Sequence, residues 1–302
     1  MEGILPINKP RGLTSHDVVF KLRKLLHIKK IGHSGTLDPN VDGVLPICIG
    51  AATKVVPYLM DSGKVYRGTV TFGYATETED LDGAVVKQTP LTQPFTDAQI
   101  LIGMRALVGD IEQVPPMYSA VKIHGRKLYE YARAGEKVER PVRHVHVDYF
   151  KQTGQSYFDE QAHTQVVPFE IGCGKGTYVR TLAVQLGEQL EVAAVMSDLT
   201  RLKSGGFELS QTLTLADIAD AVADHSIEQH LFPIDVALSH YPVVELSDEQ
   251  WQIVQNGGFL PTTILGDQPI ISVRYQQHIK ALYQLSDDRR HAKPLKMFSN
   301  HL

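Results

Sequence analysis

Cysteine is almost missing from this chain of 302 residues, with Cys48 and Cys173 its only two. They lie far apart and form no CxxC pair, which excludes a disulfide scaffold or a thiolate metal site. A reducing cytoplasm is the expected compartment. No apolar run approaches the ~20 residues that a membrane span requires. The start, MEGILPINKP, has an acid and two prolines instead of a basic flank before an apolar stretch, so secretion is not expected either. Internal repeats and low-complexity tracts are absent, which argues against a solenoid or a disordered linker. Nucleotide and calcium loops are present only in fragments. In GCGKGTY the lysine is followed by Gly176 instead of Ser or Thr, and the first glycine of a phosphate loop is missing. DLDG at Asp80 opens like a calcium loop, but position twelve is Leu91 where a glutamate should close it, leaving an acidic turn. His144 and His146 share a strand face without an evident third ligand, and a sheet-surface role is expected.

What is there is a globular composition, 43% hydrophobic and 21% charged, long enough for two domains. The net charge of −4 is unevenly spread. Residues 1 to 34 hold seven Lys or Arg against two acids, and residues 122 to 143 hold seven against three. Residues 207 to 270 hold ten acids and no Lys or Arg, so the rest of the chain carries 30 basic against 24 acidic residues, a net of +6. Two basic stretches flanking a Gly-rich loop suit a polyanionic partner, although either alone reads as a solvated face.

The pattern predicts a strand and turn in GILPINKPRG, then a helix capped by Thr14 or Ser15, with Val18, Val19, Leu22, Leu25 and Leu26 on one face. A polar loop, Ile31 to Gly43, feeds the buried strand VLPICIG, and AATKVVPYLM reads as a helix. KVYRGTVTFG, AVVKQ, RHVHVDYFKQ and QVVPFEIGC read as strands; helices are expected at 97 to 107, before Gly135, after GKGTY and near 214 to 223. Strands and helices alternate without a regular βαβ beat, which predicts an α+β fold with a mixed, mostly antiparallel sheet. Character changes at Asp235 to Tyr241. The expected division is a catalytic domain at 1–237 and a small β-rich module at 238–302, ending in the basic tail RRHAKPLKMF.

Asp38 lies in GTLDPNVDG, after Gly32 and Gly35 and directly before Pro39, in backbone that is permissive on one side and stiff on the other. By itself an Asp-Pro in such a loop reads as a turn former. A wider pattern changes that reading. IGHSGTLDPNVDGVLPICIGAATK resembles the signature of the TruB family of tRNA pseudouridine synthases, and INKPRGLTSHDVV, KVYRGTVTFGYATETEDLDG, PPMYSAVKIHGRKLYEYAR, GKGTYVRTLAVQLG and SDLTRLKSGGF are similar to its other motifs in the expected order. Together these cover much of residues 4 to 207.

The resemblance implies that Asp38 is the nucleophilic or otherwise essential carboxylate, in a reaction that needs neither a cofactor nor a metal. It implies that Arg180 keeps that carboxylate ionised and oriented, and that the Tyr66 ring stacks on the extruded uracil while its hydroxyl helps to move a proton. His33 is expected beside the target base and Leu199 in the pocket lining, with Leu202 a weaker match. Lys9, Lys64, Arg126 and Lys127 are expected phosphate contacts. Without the resemblance, these would read in turn as a surface ion pair, a core tyrosine, a solvated histidine, strand core and solvated charge.

The implied substrate is uridine 55 in the T loop of tRNA, reached by flipping the nucleotide out of its stack. The implied second domain is PUA-like and contacts RNA through the basic tail, and the implied oligomeric state is a monomer. The alternative is a non-catalytic tRNA-binding or tRNA-folding protein on the same surfaces. The set Asp38, Tyr66 and Arg180 favours the enzyme, because binding alone does not call for a carboxylate facing a polyanion.

Overall fold

A computed structural model describes residues 1–298 of the chain. In chain order its elements begin with β1 (Gly3–Lys9), α1 (Ser15–Leu26), β2 (Ile31–His33), β3 (Asp42–Ile49), α2 (Val56–Asp61), β4 (Lys64–Phe72), β5 (Tyr74–Thr76), β6 (Val85–Gln88), α3 (Asp97–Ala106) and β7 (Gly109–Gln113). There follow β8 (Lys122–Ile123), β9 (Arg126–Lys127), α4 (Leu128–Ala134), β10 (Arg143–Gln152), β11 (Tyr157–Asp159), β12 (Thr164–Cys173), α5 (Val179–Gln189) and β13 (Ala194–Ser204). The C-terminal third contributes β14 (Phe207–Glu208), α6 (Leu215–Ala223), β15 (Val243–Glu245), α7 (Asp248–Val254), β16 (Leu260–Pro261), β17 (Ile270–Tyr275), β18 (His278–Leu285) and β19 (His291–Met297). Contacts divide the chain into two compact units: Met1–Pro39, Val44–Met60 and the chain from Gly205 form one, and Asn40–Gly43 with Asp61–Ser204 the other.

Four helices start on the same local chemistry. Thr14, Thr96, Thr214 and Ser247 each accept a hydrogen bond from the backbone N–H three residues on, and the Asp or Gln at that third position reaches back to the cap, satisfying two otherwise orphaned donors at once. Val18, Val19, Leu22 and Leu26 of α1 fall on one buried face, as their spacing predicts.

The second unit is built on a sheet in the order β13-β4-β12-β10-β7, every neighbouring pair antiparallel. Asp42 and Gly43 add a short parallel pairing to Thr200 and Arg201. The sheet is thus mixed and mostly antiparallel, and the fold is α+β. Val70, Phe72, Val167, Phe169 and Ile171 on the strands, and Ile100, Met104, Leu182 and Leu186 on α3 and α5, are fully buried. Burying side chains of this size stabilises by about 1.5–3 kcal/mol each.

In the first unit, β2 pairs antiparallel with β3, His33 opposite Ile47. Strands β15-β17-β18-β19-β16 form a five-stranded sheet in the C-terminal residues. One cluster beside it gathers Trp251, Leu260, Val273, Ala281 and Tyr283. Another joins Ile279, Leu282 and Phe298 to Ile4, Val44, Cys48, Val55 and Leu59. The apolar run in β18 is nearly continuous because the strand is covered on both sides.

Two local expectations are corrected, and one strand is added. Residues 31–33 are a strand, because the backbone of this polar stretch pairs with β3. AATKVVPYLM is a 3-10 turn over Gly50–Val55 followed by a short α2: Pro57 has no N–H to donate, so an α-helix must begin next to it and cannot run through it. The segment after β10 contributes β11, which borrows its hydrogen bonds from β12. Among the described residues no helix is long and apolar enough to cross a membrane.

Candidate active site

The loop carrying Asp38 is held from behind by the turn between β1 and α1. Lys9 closes β1 and is fully buried. Its ammonium donates to the carbonyls of Pro10 at 2.9 Å, Leu13 at 2.6 Å and Pro39 at 3.1 Å. The Pro39 carbonyl also accepts from Gly12 N–H at 2.9 Å. On the other side of Asp38, the Ser15 hydroxyl accepts from Leu37 N–H at 2.9 Å and returns a weaker bond to Leu37 O at 3.3 Å. The residues before and after Asp38 are therefore both clamped, while Asp38 itself is half-buried. His33 ends β2, also half-buried, and the chain turns immediately after it where Ser34 N–H donates to Pro46 O. Lys9 departs from expectation: its charge is used inside the protein to fix a loop, since a buried ammonium must find acceptors and backbone carbonyls supply three.

In the second unit, Tyr66 lies on the central strand β4, opposite Ile171 on β12 and Arg201 on β13. Lys64, Tyr66 and Gly68 share its buried face by the two-residue period of a strand. Leu199 pairs with Gly68 and is buried. Gly68 is required there: a Cβ would sit 2.1 Å from Asp198 O and 3.1 Å from the Leu199 side chain.

Arg180 stands in the first turn of α5 and is only 5% exposed. Its guanidinium donates to Thr78 O at 2.8 Å and Tyr118 O at 3.0 Å, and lies 3.7 Å from an Asp80 carboxylate oxygen. Asp80 is in turn held by the Thr78 hydroxyl at 2.5 Å and by Asp82 N–H at 3.1 Å. Asp82 accepts from Asn40, two residues after Asp38, at 2.6 Å. This buried, oriented cation is quite unlike a surface ion pair. By its local sequence Asp80 reads only as an acidic turn; the resemblance of the whole TETEDLDG stretch is the one signal that points to it.

The remaining basic residues divide. Lys64 is buried, donates to Ser62 O at 3.1 Å, and its pKa is pushed down to about 8, first by burial and then by the Arg201 charge. That environment suits a structural cation better than a phosphate contact. Arg126 and Lys127 form β9, beside β8 and just before α4, with Arg126 exposed and Lys127 half-buried. Arg126 pairs with Glu136 at 2.8 Å and stacks over Tyr131, and the Lys127 ammonium lies 5.3 Å from the Tyr129 ring centre. His144 and His146 are exposed on β10, facing Glu112 and Asp110. No group of three or more His, Cys, Asp or Glu among the described residues is arranged to hold a metal ion.

A family model described as "TruB family pseudouridylate synthase (N terminal domain)" matches residues 23–179, more than half of the chain. The chain belongs to the TruB family of pseudouridylate synthases. As such it is an isomerase, which breaks the bond from ribose to uracil N1 and remakes it at C5. A second TruB model, "tRNA pseudouridylate synthase B C-terminal domain", matches residues 180–239. Relatives named tRNA pseudouridine synthase B include one from Levilactobacillus brevis, 61% identical over 99% of this chain and 99% of its own. Another, from Ligilactobacillus salivarius, is 53% identical over 98% and 99%. Among solved structures, one of a Cbf5-Nop10-Gar1 complex is 27% identical with a TM-score of 0.72, covering 98% of this chain and 85% of that one. An H/ACA RNP bound to a substrate RNA containing 2'-deoxyuridine is similar at 25% identity and a TM-score of 0.71, with the same coverage. The TruB resemblance thus extends beyond residue 207, where the motifs fade, and takes in the C-terminal sheet.

Proposed function

We propose that this pseudouridylate synthase acts on tRNA and converts uridine 55 of the T loop to pseudouridine, with Asp38 as the essential carboxylate. The observation that carries the reading is the double clamp on the Asp38 loop. A turn former needs no fully buried ammonium and no buried serine to hold the peptides on either side of it, whereas a carboxylate that must meet one atom of a flipped nucleotide does. Full-length similarity to relatives named tRNA pseudouridine synthase B supports tRNA as the substrate.

In the proposed mechanism the target uridine leaves its stack, at a cost of a few kcal/mol. Stacking on Tyr66 and phosphate contacts from Arg126 and Lys127 offset that cost. Asp38 forms a covalent bond to the nucleotide, the ribose–N1 bond breaks, the uracil turns and C5 bonds to C1' of the ribose, the bond to Asp38 breaks again, and the proton on C5 is lost while N1 gains one, with the Tyr66 hydroxyl assisting. Arg180 keeps Asp38 ionised and oriented. His33 fills space beside the target base, and Leu199 supplies an apolar wall. No redox change occurs and no water is consumed, so neither cofactor nor metal enters these steps. Lys9 and Lys64 act by positioning, not by touching RNA.

We further propose that residues 238–302 form a PUA-like module whose Arg289, Arg290, Lys293 and Lys296 face RNA, and that the enzyme works as a cytoplasmic monomer. The test is an unmodified T-arm stem-loop incubated with the protein alone and mapped for pseudouridine. One modified uridine is expected with the wild type and none with Asp38→Ala at nearly unchanged RNA affinity. Modification by Asp38→Ala at the wild-type rate would remove the assignment of the carboxylate.

A further inference from the structure

The turn that receives Arg180 contains a residue whose shape is odd for its place. Glu79 has φ +64, left-handed backbone that a residue with a Cβ adopts reluctantly, in a position where glycine would be unstrained. The turn is pinned on both sides of that residue: Glu79 N–H donates to Thr76 O at 3.3 Å, and Glu79 O accepts from Met196 N–H of β13 at 3.2 Å. Its side chain points inward. One carboxylate oxygen accepts from the Thr181 hydroxyl at 2.7 Å, and Thr181 is the residue that follows Arg180 on α5. The neighbours of Glu79 are the two groups on this turn that meet the guanidinium, Thr78 through its carbonyl and Asp80 through its carboxylate.

We infer that Glu79 is a positioning residue for Arg180: by gripping Thr181 it locks the first turn of α5 against the turn 76–83, so that the Thr78 carbonyl and the Asp80 carboxylate meet the guanidinium together. The inference rests on the proposed catalytic role of Arg180. A glutamate kept at a left-handed position, where glycine would relieve the strain, is expected when its side chain has a task the backbone cannot perform. The charges that face it come from three elements: Arg180 on α5, Arg140 on the segment before β10, and Asp80 on its own turn. Burial raises the Glu79 pKa, and the Thr181 bond and the two arginines oppose that rise, so the ionised form depends on the same contacts that it makes.

The experiment measures single-turnover pseudouridine formation and binding on a T-arm stem-loop for Glu79→Gly, Glu79→Gln, Thr181→Val, the double variant Glu79→Gly/Thr181→Val, and Arg180→Ala. Glu79→Gly removes the carboxylate while relieving the backbone, so loss of fold does not account for loss of rate. The expected result is that Glu79→Gly and Thr181→Val each slow the chemical step about tenfold, the worth of one charge-assisted hydrogen bond, without weakening RNA binding. The double variant should be no slower than either single one, because both remove the same bond. Glu79→Gln, which still offers an oxygen to Thr181, should recover most of the rate. Wild-type turnover in Glu79→Gly alongside an inactive Arg180→Ala, or additive losses in the double variant, would overturn the inference while leaving the proposed function intact. Wild-type turnover in Arg180→Ala would instead overturn the role of the arginine itself, and the inference with it.

Discussion

Lys9→Met tests the idea that catalysis begins with a loop clamped from behind. Methionine keeps most of the apolar stem and volume of lysine but takes away the ammonium, so the carbonyls of Pro10, Leu13 and Pro39 all lose their donor. Hydrogen bonds to a charged group are worth about 1.5–3 kcal/mol each in a protein. The full sum is not expected. Pro10 and Pro39 are exposed, so water can reach two of the three carbonyls, and the desolvation penalty of the buried ammonium disappears with it. That leaves about 2–3 kcal/mol, concentrated on the Leu13 carbonyl and on the loosened Pro39 peptide, which keeps its bond from Gly12. The kinetic effect should exceed the stability effect, because an error of about 1 Å in a reacting group can slow a reaction a hundredfold. Urea unfolding gives the stability, and single-turnover conversion of a T-arm stem-loop gives the rate. Lys9→Arg should fail as well, since a planar guanidinium cannot point three donors at carbonyls placed around a compact ammonium. Lys9→Met with wild-type stability and wild-type rate would refute the clamp, whereas a rate loss that vanishes at saturating RNA would assign Lys9 to binding instead.

Gly68→Ala places a Cβ 2.1 Å from Asp198 O, between two paired strands that cannot separate locally, and soluble yield and melting temperature should both collapse. Lys64 is a base whose folded pKa, about 8, lies below its ordinary 10.5; the folded state therefore binds fewer protons there and is favoured as pH rises between those values. Wild type minus Lys64→Met should accordingly gain up to about 3 kcal/mol of unfolding free energy from pH 8 to 10.5. A flat difference would show that the lysine is not desolvated; the comparison is needed because Cys173, held up at about 11 by burial, pulls the other way above pH 9. Arg126→Ala should leave the melting temperature unchanged, weaken T-arm binding, and lower the salt dependence of that binding by about one counterion. An unchanged salt slope would place Arg126 away from phosphate.

Much of the protein was legible from local chemistry. Four helix starts follow from Thr or Ser three residues ahead of Asp or Gln, and the alternation in KVYRGTVTFG was enough to find β4 and the face that bears Tyr66. These signals act within a turn or a strand, where sequence neighbours are also spatial neighbours. Asp38 and Arg180 stand out as site candidates only through an ordered series of motifs, since neither residue type means much alone.

What the residues could not disclose was how charge is partitioned. Lys9 and Lys64 look like Arg126 in a string of letters, yet the first is buried on three carbonyls, the second is buried with its pKa lowered by that burial and by Arg201, and the third is exposed and paired with Glu136. Asp80 and Glu79 likewise gain their meaning only because α5 and β13, a hundred residues and more down the chain, close over the turn that holds them. The sequence by itself determined which segments are helix or strand and which family motifs are present, because those depend on contacts over a few residues. Tertiary structure alone decided which charges are desolvated and which partners they meet, because solvation and electrostatic pairing depend on distances through space that the order of residues does not contain.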